Sequence, residues 1–180
     1  MSCSTIKGVN FSLCDPSMGG ITKLYLANID DVSAVTVGTA STLSDEGITG
    51  ITMKSGKTFQ EFTVKKNTSN FTATLTTSDN GASYVSTVIS YIMPRMDASK
   101  RAAMQALIMA EAVAIVKDAN GKYWFIGDVE NEAPLTNTAG TGETGTAKGD
   151  ANQYSIELTA ETNEWPNEVD PSIISSVLPS

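Results

Sequence analysis

Histidine is absent from this 180-residue sequence. It is the commonest general base, the usual activator of serine and cysteine nucleophiles, and the commonest zinc ligand. Its absence excludes hydrolase triads in their ordinary form, and no serine stands in a G-x-S-x-G pattern. The sequence therefore predicts a protein that is not an enzyme, with no catalytic residue, no cofactor and no metal.

Positive charge is also scarce. The chain has 12 basic and 20 acidic residues, a net charge of −8, and the basic residues form no extended run. A nucleic-acid binder carries a basic footprint, so specific DNA binding is not expected. The acidic residues around the loop at 129–149 could offer oxygen ligands to Ca²⁺, but they lack EF-hand spacing. A solvated acidic loop is the favoured interpretation.

Cysteines and long apolar runs are few. Cys3 and Cys14 are the only cysteines, and their spacing matches no metal cluster, so they are expected to be reduced thiols. No segment has signal-peptide character, and none approaches the ~20 apolar residues of a membrane-spanning helix. The prediction is synthesis in the cytoplasm without a membrane anchor.

Two glycine-rich stretches resemble phosphate-binding motifs. In "GITMKSGKT" (50–58) the first glycine of a phosphate loop would have to be residue 51, which is isoleucine, and a strand pattern follows instead of a helix. "GTGETG" (140–145) fits G-x-G-x-x-G but is flanked by polar loop and strand, so it is interpreted as loop sequence.

Hydrophobic periodicity predicts a mainly β protein. One helix is expected at about 97–112, with Asp97 as N-cap, and a hairpin is expected around Asn120-Gly121. The predicted fold is an antiparallel β-sandwich or partly closed barrel with that single flanking helix. The strands are expected at 21–29, 31–37, 48–54, 57–65, 70–77, 82–93, within 112–128, and at 152–161.

The domain organisation follows from these elements: an N-terminal arm at 1–19, one β domain at 20–161 and a tail at 162–180. The loop at 129–149 is longer than the ~12–15 residues that compact domains leave unstructured. Together with the apolar residues of the tail, which have no core left to join, it forms a candidate assembly interface. The residues of this interface are Thr138, Gly140, Gly142, Glu143, Gly145, Ile173, Ile174, Val177 and Leu178.

The order of elements resembles a known family. A long strand runs through "YIMPRMDASKRAAMQALIM" into the helix, and the hairpin "NGKYWFIGD" is followed by a Gly/Thr-rich loop and a closing "GD-x-x-x-Y" strand. About three-quarters of the chain is similar in this way to the tail tube proteins of tailed bacteriophages and to the tube proteins of contractile injection systems.

The resemblance implies a β-sandwich whose subunits pair sheet edges into homo-oligomeric, hexameric rings that stack into a tube. DNA would pass through the lumen without specific binding, other tail or connector proteins would be partners, and the protein would reside in the virion. A single-ring head–tail adaptor is the alternative within the same fold.

A monomeric β-sandwich ligand-binding module is the third possibility. It would need an aromatic cleft, and the candidate aromatic residues lie in strand patterns that favour the core. These residues are Tyr25, Tyr84, Tyr91, Tyr123 and Trp124.

Overall fold

A computed structural model describes residues 8, 17–43, 46–65 and 67–179. Cys3, Cys14 and most of the predicted arm therefore lie outside the described residues. The strands are β1 (Ile21–Asn28), β2 (Val32–Thr39), β3 (Glu46–Met53), β4 (Gln60–Thr63), β5 (Asn70–Thr77), β6 (Ser83–Pro94), β7 (Ala112–Asp118), β8 (Tyr123–Ile126), β9 (Thr136–Glu143), β10 (Gln153–Thr162) and β11 (Asn167–Val169). The helices are α1 (Ala98–Leu107) and α2 (Ile174–Val177).

The described strands form two sheets. The large sheet has the order β2-β3-β11-β8-β7-β1-β4, and the small sheet has the order β5-β6-β10-β9. They do not close into a barrel, and the predicted mainly β sandwich with a flanking helix is confirmed. All pairings are antiparallel except that of β3 with β11, where Ile48 lies opposite Val169.

The main core lies between the two sheets. Along β6, alternate residues such as Ile89 and Tyr91 are buried, and Ile156 and Leu158 of β10 lie opposite them in the register. They pack against residues of the large sheet that include Val116. The inner face of the small sheet is thus buried in the core, and the outer face of the same sheet is available for other contacts.

A second core covers the other face of the large sheet, and the C-terminal segment belongs to it. Ile174 and Val177 are only 5% and 1% exposed. They pack with Phe59 and Val169. The expectation that the core ends near residue 161 is therefore wrong. Prolines surround β11, which is too short to show a period, so sequence patterns did not reveal it.

The helix α1 is shorter than the predicted range of 97–112. The Asp97 side chain accepts a hydrogen bond from the backbone N–H of Lys100 at 2.8 Å, which confirms the N-cap. The helix ends at Leu107, and strand β7 begins at Ala112. The described residues also form the short second helix α2, which the sequence pattern did not predict.

The stretch at 129–149 is not an unstructured loop. It contains β9, which pairs with β10 from Glu143↔Gln153 to Thr136↔Thr159. The sequence of β9 lacks apolar alternation, because one face is polar and the other carries Gly140 and Gly142. The prediction of an unstructured loop from the length of this stretch is therefore wrong.

Candidate assembly surface on the small sheet

The two outermost strands of the small sheet, β5 and β9, each have one edge without a neighbouring strand among the described residues. Both strands are eight residues long. Proteins commonly protect such edges with lysine, proline or a bulge, because unpaired backbone groups are a template for another strand. β5 contains neither lysine nor proline, and its Leu75 is 55% exposed. This edge is therefore open to pairing.

The β9 edge carries four of the predicted interface residues, and Gly145 follows in the turn. Thr138 Oγ1 lies 3.0 Å from Thr159 Oγ1, and Gln153 Nε2 donates to Glu143 Oε1 at 2.8 Å. These contacts tie β9 to β10 through side chains as well as through the backbone ladder. Among the described residues, no strand pairs with the opposite edge of β9.

The glycines of β9 have a packing role. A Cβ atom at Gly142 would lie 2.8 Å from Cε1 of Tyr154, and one at Gly140 would lie 3.4 Å from Cε of Met104 on α1. The missing side chains let Tyr154 and the helix approach the strand. The "GTGETG" stretch is therefore largely a strand, and not the loop that the sequence suggested.

The turn between β9 and β10 is held by Asp150. Its carboxylate accepts hydrogen bonds from the backbone N–H groups of Thr146 and Ala147, both at 2.7 Å, and from the Thr146 hydroxyl at 3.0 Å. The N–H of Ala147, followed by that of Thr146, lowers the pKa of Asp150 below its ordinary value of 3.8. Gly145 takes the left-handed conformation, with φ of 69°. The turn is therefore organised by its own contacts.

The outer face of the small sheet is largely polar and without positive charge. None of its four strands contains lysine or arginine. Register and alternation place hydroxyl-bearing residues and three glutamates across this face, together with the apolar Val88 and Ile92. Its polar residues include Thr72, Thr74, Ser86, Ser90, Thr141, Ser155, Glu157, Thr159 and Glu161.

The structure separates the two halves of the predicted interface. Thr138, Gly140, Gly142, Glu143 and Gly145 lie together at the β9 edge and its turn. The apolar tail residues lie in or against the second core, with Ile174 and Val177 buried and the other two partly buried. The tail residues are Ile173, Ile174, Val177 and Leu178. The prediction that these tail residues form an exposed apolar patch is therefore wrong.

Other candidate sites are accounted for by the fold. Lys57 of the "SGKT" stretch forms a 3.0 Å ion pair with Asp31, and strand β4 follows that turn. Tyr25 and Tyr91 belong to the two cores. Within the part of the chain that the structure describes, no group of three or more acidic or cysteine side chains is placed to hold a metal ion.

Neither helix in the described part of the chain has the length and apolar character needed to cross a membrane.

The β5 edge is a possible interface that the sequence patterns did not indicate. Its alternation, Phe71 and Ala73 against Thr72 and Thr74, predicted the strand correctly. Nothing in a single strand's sequence says whether it lies at the edge of a sheet. The lack of charge along its eight residues is the signal that could have drawn attention to it.

Comparisons of the chain with protein-family models, with curated proteins and with solved structures found no match.

Proposed function

We propose that this protein is a structural subunit that joins copies of itself edge to edge through β5 and β9, forming rings that stack into the tail tube of a phage. The observation that carries the proposal is a small sheet with two open edges of equal length. In this account the subunit has no catalytic role and needs no cofactor.

Strand directions favour closure into a ring. Because each neighbouring pair in the small sheet is antiparallel, β5 and β9 run in opposite directions. A rotation about an axis along the strands keeps each strand's direction and brings β9 of one copy beside β5 of the next. The new pair is then antiparallel, like all the others in the sheet, and closure removes every open edge of the small sheet.

The polar outer face suits the wall of a DNA channel. Neither Lys nor Arg occurs on its strands, while Glu157 and Glu161 add negative charge. Tight DNA binding depends on cationic groups that displace counterions from phosphates, and this face offers none. With the inner face occupied by the core, the outer face is the one that would line the lumen, and DNA would slide past it.

The resemblance of the "NGKYWFIGD" hairpin and its closing strand to tail tube proteins supports the same proposal. The virion would be the site of residence, and other tail or connector proteins would be the partners. A single-ring adaptor would share the edge pairing but lack the stacking. A stacked tube and a single ring would therefore differ in the length of the particle.

Leu75→Lys tests the proposal. A charge on the exposed β5 edge should block pairing without disturbing the core. The matched control is Met109→Lys, because Met109 is 87% exposed and belongs to neither edge strand. Light scattering should show rings or larger particles for the wild-type protein and the control, and single subunits for Leu75→Lys. Assembly of Leu75→Lys equal to that of the control would contradict edge pairing.

A further inference from the structure

A cleft opens at one end of the sandwich, where the end of β10 and the turn after β8 approach β2. Its volume is about 150 Å³, and its apolar wall includes Val37, Phe125 and Trp165. Small-molecule sites usually measure roughly 300–1,000 Å³, whereas a water molecule takes up roughly 30 Å³. The cleft is therefore sized for one protruding side chain.

A buried hydroxyl without a partner lines this cleft. Thr87 is 1% exposed, and within the described residues its Oγ1 has no hydrogen-bond partner. A buried polar group that is left unpaired destabilises a fold. The hydroxyl therefore points to an occupant that brings a hydrogen-bonding group.

The charge around the cleft is negative. The segments that meet at this end of the molecule, 77–87, 127–136 and 159–167, contain no lysine or arginine. Their acidic residues are Asp79, Asp128, Glu130, Glu132, Glu161 and Glu164.

Three of these acidic residues line the cleft. Asp128 is engaged, because its carboxylate accepts hydrogen bonds from the backbone N–H groups of Glu130 and Asn131 and from the Asn131 amide. Within the described residues, the carboxylates of Glu130 and Glu164 have no hydrogen-bond or ion-pair partner, and both residues line the cleft. The charge of the rim favours a cationic occupant.

A cationic group stands at the opposite end of the small sheet. The register of β9 with β10 places Thr136↔Thr159 toward the cleft and Glu143↔Gln153 at the far end. Lys148 is exposed in the turn beyond Glu143. Asp150 organises this turn by accepting hydrogen bonds from the backbone N–H groups of Thr146 and Ala147. A long side chain on an organised turn loses less conformational freedom on docking than one on a disordered segment.

We infer that the Lys148 turn of one copy inserts into the cleft of the next copy along the strand direction. The ammonium group lies among Glu130, Glu164 and the Thr87 hydroxyl, and the methylene stem packs on Trp165. A contact between two different surfaces of identical chains repeats from copy to copy, and it builds an open stack when the rotation between copies does not close into a ring. The inference rests on the proposed function, because it supplies the contact between rings, whereas β5 and β9 supply the contact within a ring.

Charge reversal of the full-length protein tests this contact. Lys148→Glu should form rings but reduce the mean length of stacks in electron micrographs by at least tenfold. Lys54→Glu is the matched control, because Lys54 is exposed in the turn after β3 and the charge change is the same. Adding Glu130→Lys and Glu164→Lys to Lys148→Glu should restore stacking.

Fluorescence of Trp165 separates the two proposals. It is 56% exposed, so docking should shift its emission to shorter wavelength as concentration rises, and Trp165→Phe should lose that response. Light scattering follows ring formation independently. The inference would be overturned if Lys148→Glu stacks like the wild-type protein, or if the triple variant with all three charges reversed does not stack. A Trp165 signal that does not depend on concentration would also overturn it. If the wild-type protein forms no rings but keeps its Trp165 response, edge pairing would be overturned instead.

Discussion

The backbone N–H of Phe59 donates a hydrogen bond to the carbonyl oxygen of Val177, 2.9 Å away. Phe59 is fully buried in the turn between β3 and β4, so this bond fastens the C-terminal segment to the large sheet. Strand β11 adds a second attachment, between β3 and β8. The C-terminal segment is therefore part of the fold.

Shortening a buried side chain of this segment should destabilise the subunit itself. Ile174→Ala is expected to lower the free energy of unfolding by about 2–5 kcal/mol, because it leaves a cavity in the second core. Urea denaturation measures the change. Ser175→Ala, at an exposed neighbouring position, is the control and should change stability by no more than about 0.5 kcal/mol. A cost for Ile174→Ala as small as that of the control would contradict this packing.

A side chain at position 142 should destabilise the fold. In Gly142→Ala the new methyl group would meet the Tyr154 ring, and a loss of about 1–3 kcal/mol is expected from overpacking. Gly149→Ala is the matched control, because a Cβ there meets no atom within 4 Å. Thermal unfolding of both variants checks the difference. Equal midpoints would mean that Tyr154 does not pack on β9 in this way.

The turn that presents Lys148 should loosen in acid. Because the folded-state pKa of Asp150 is lowered, its contribution is complete above the ordinary value of 3.8 and is lost as pH falls through the lower folded value. NMR titration of the Thr146 and Ala147 amide signals should give a midpoint below 3.8, and Asp150→Asn should abolish the transition. A midpoint at or above that value would contradict the hydrogen bonds to Asp150.

The assembled protein should not bind duplex DNA at physiological salt. The protein has a net charge of −8, and the strands of its small sheet carry no cation that could release counterions from DNA. Fluorescence anisotropy with labelled duplex measures binding directly. Micromolar affinity that falls steeply with salt would argue against the channel and for an adaptor that grips DNA.

The sequence predicted individual strands and the helix better than it predicted which strands pair with one another. Alternation in "NFTATLTT" located β5 correctly, and Asp97 marked the start of α1. The same local signals failed for β9, where glycines replace the apolar residues of the inner face, and for β11, which lies between prolines. Both strands owe their positions to long-range pairing, with β10 and with β3 and β8.

The site was predicted only in part for the same reason. Five interface residues around β9 lie at an open edge, but the four apolar tail residues pack within the subunit. Apolar residues near a chain end are equally consistent with an interface and with a core, and only the fold decides between them. The unpaired hydroxyl of Thr87 has no sequence signal at all.

Electron microscopy of the assembled wild-type protein, at a resolution that separates strands, tests the central claim most directly. The account predicts stacked rings with an open channel, in which β9 of each subunit pairs antiparallel with β5 of the next and the face bearing Glu157 and Glu161 lines the lumen. Single subunits under every condition of concentration and partner, or rings in which β5 and β9 do not pair between subunits, would contradict it.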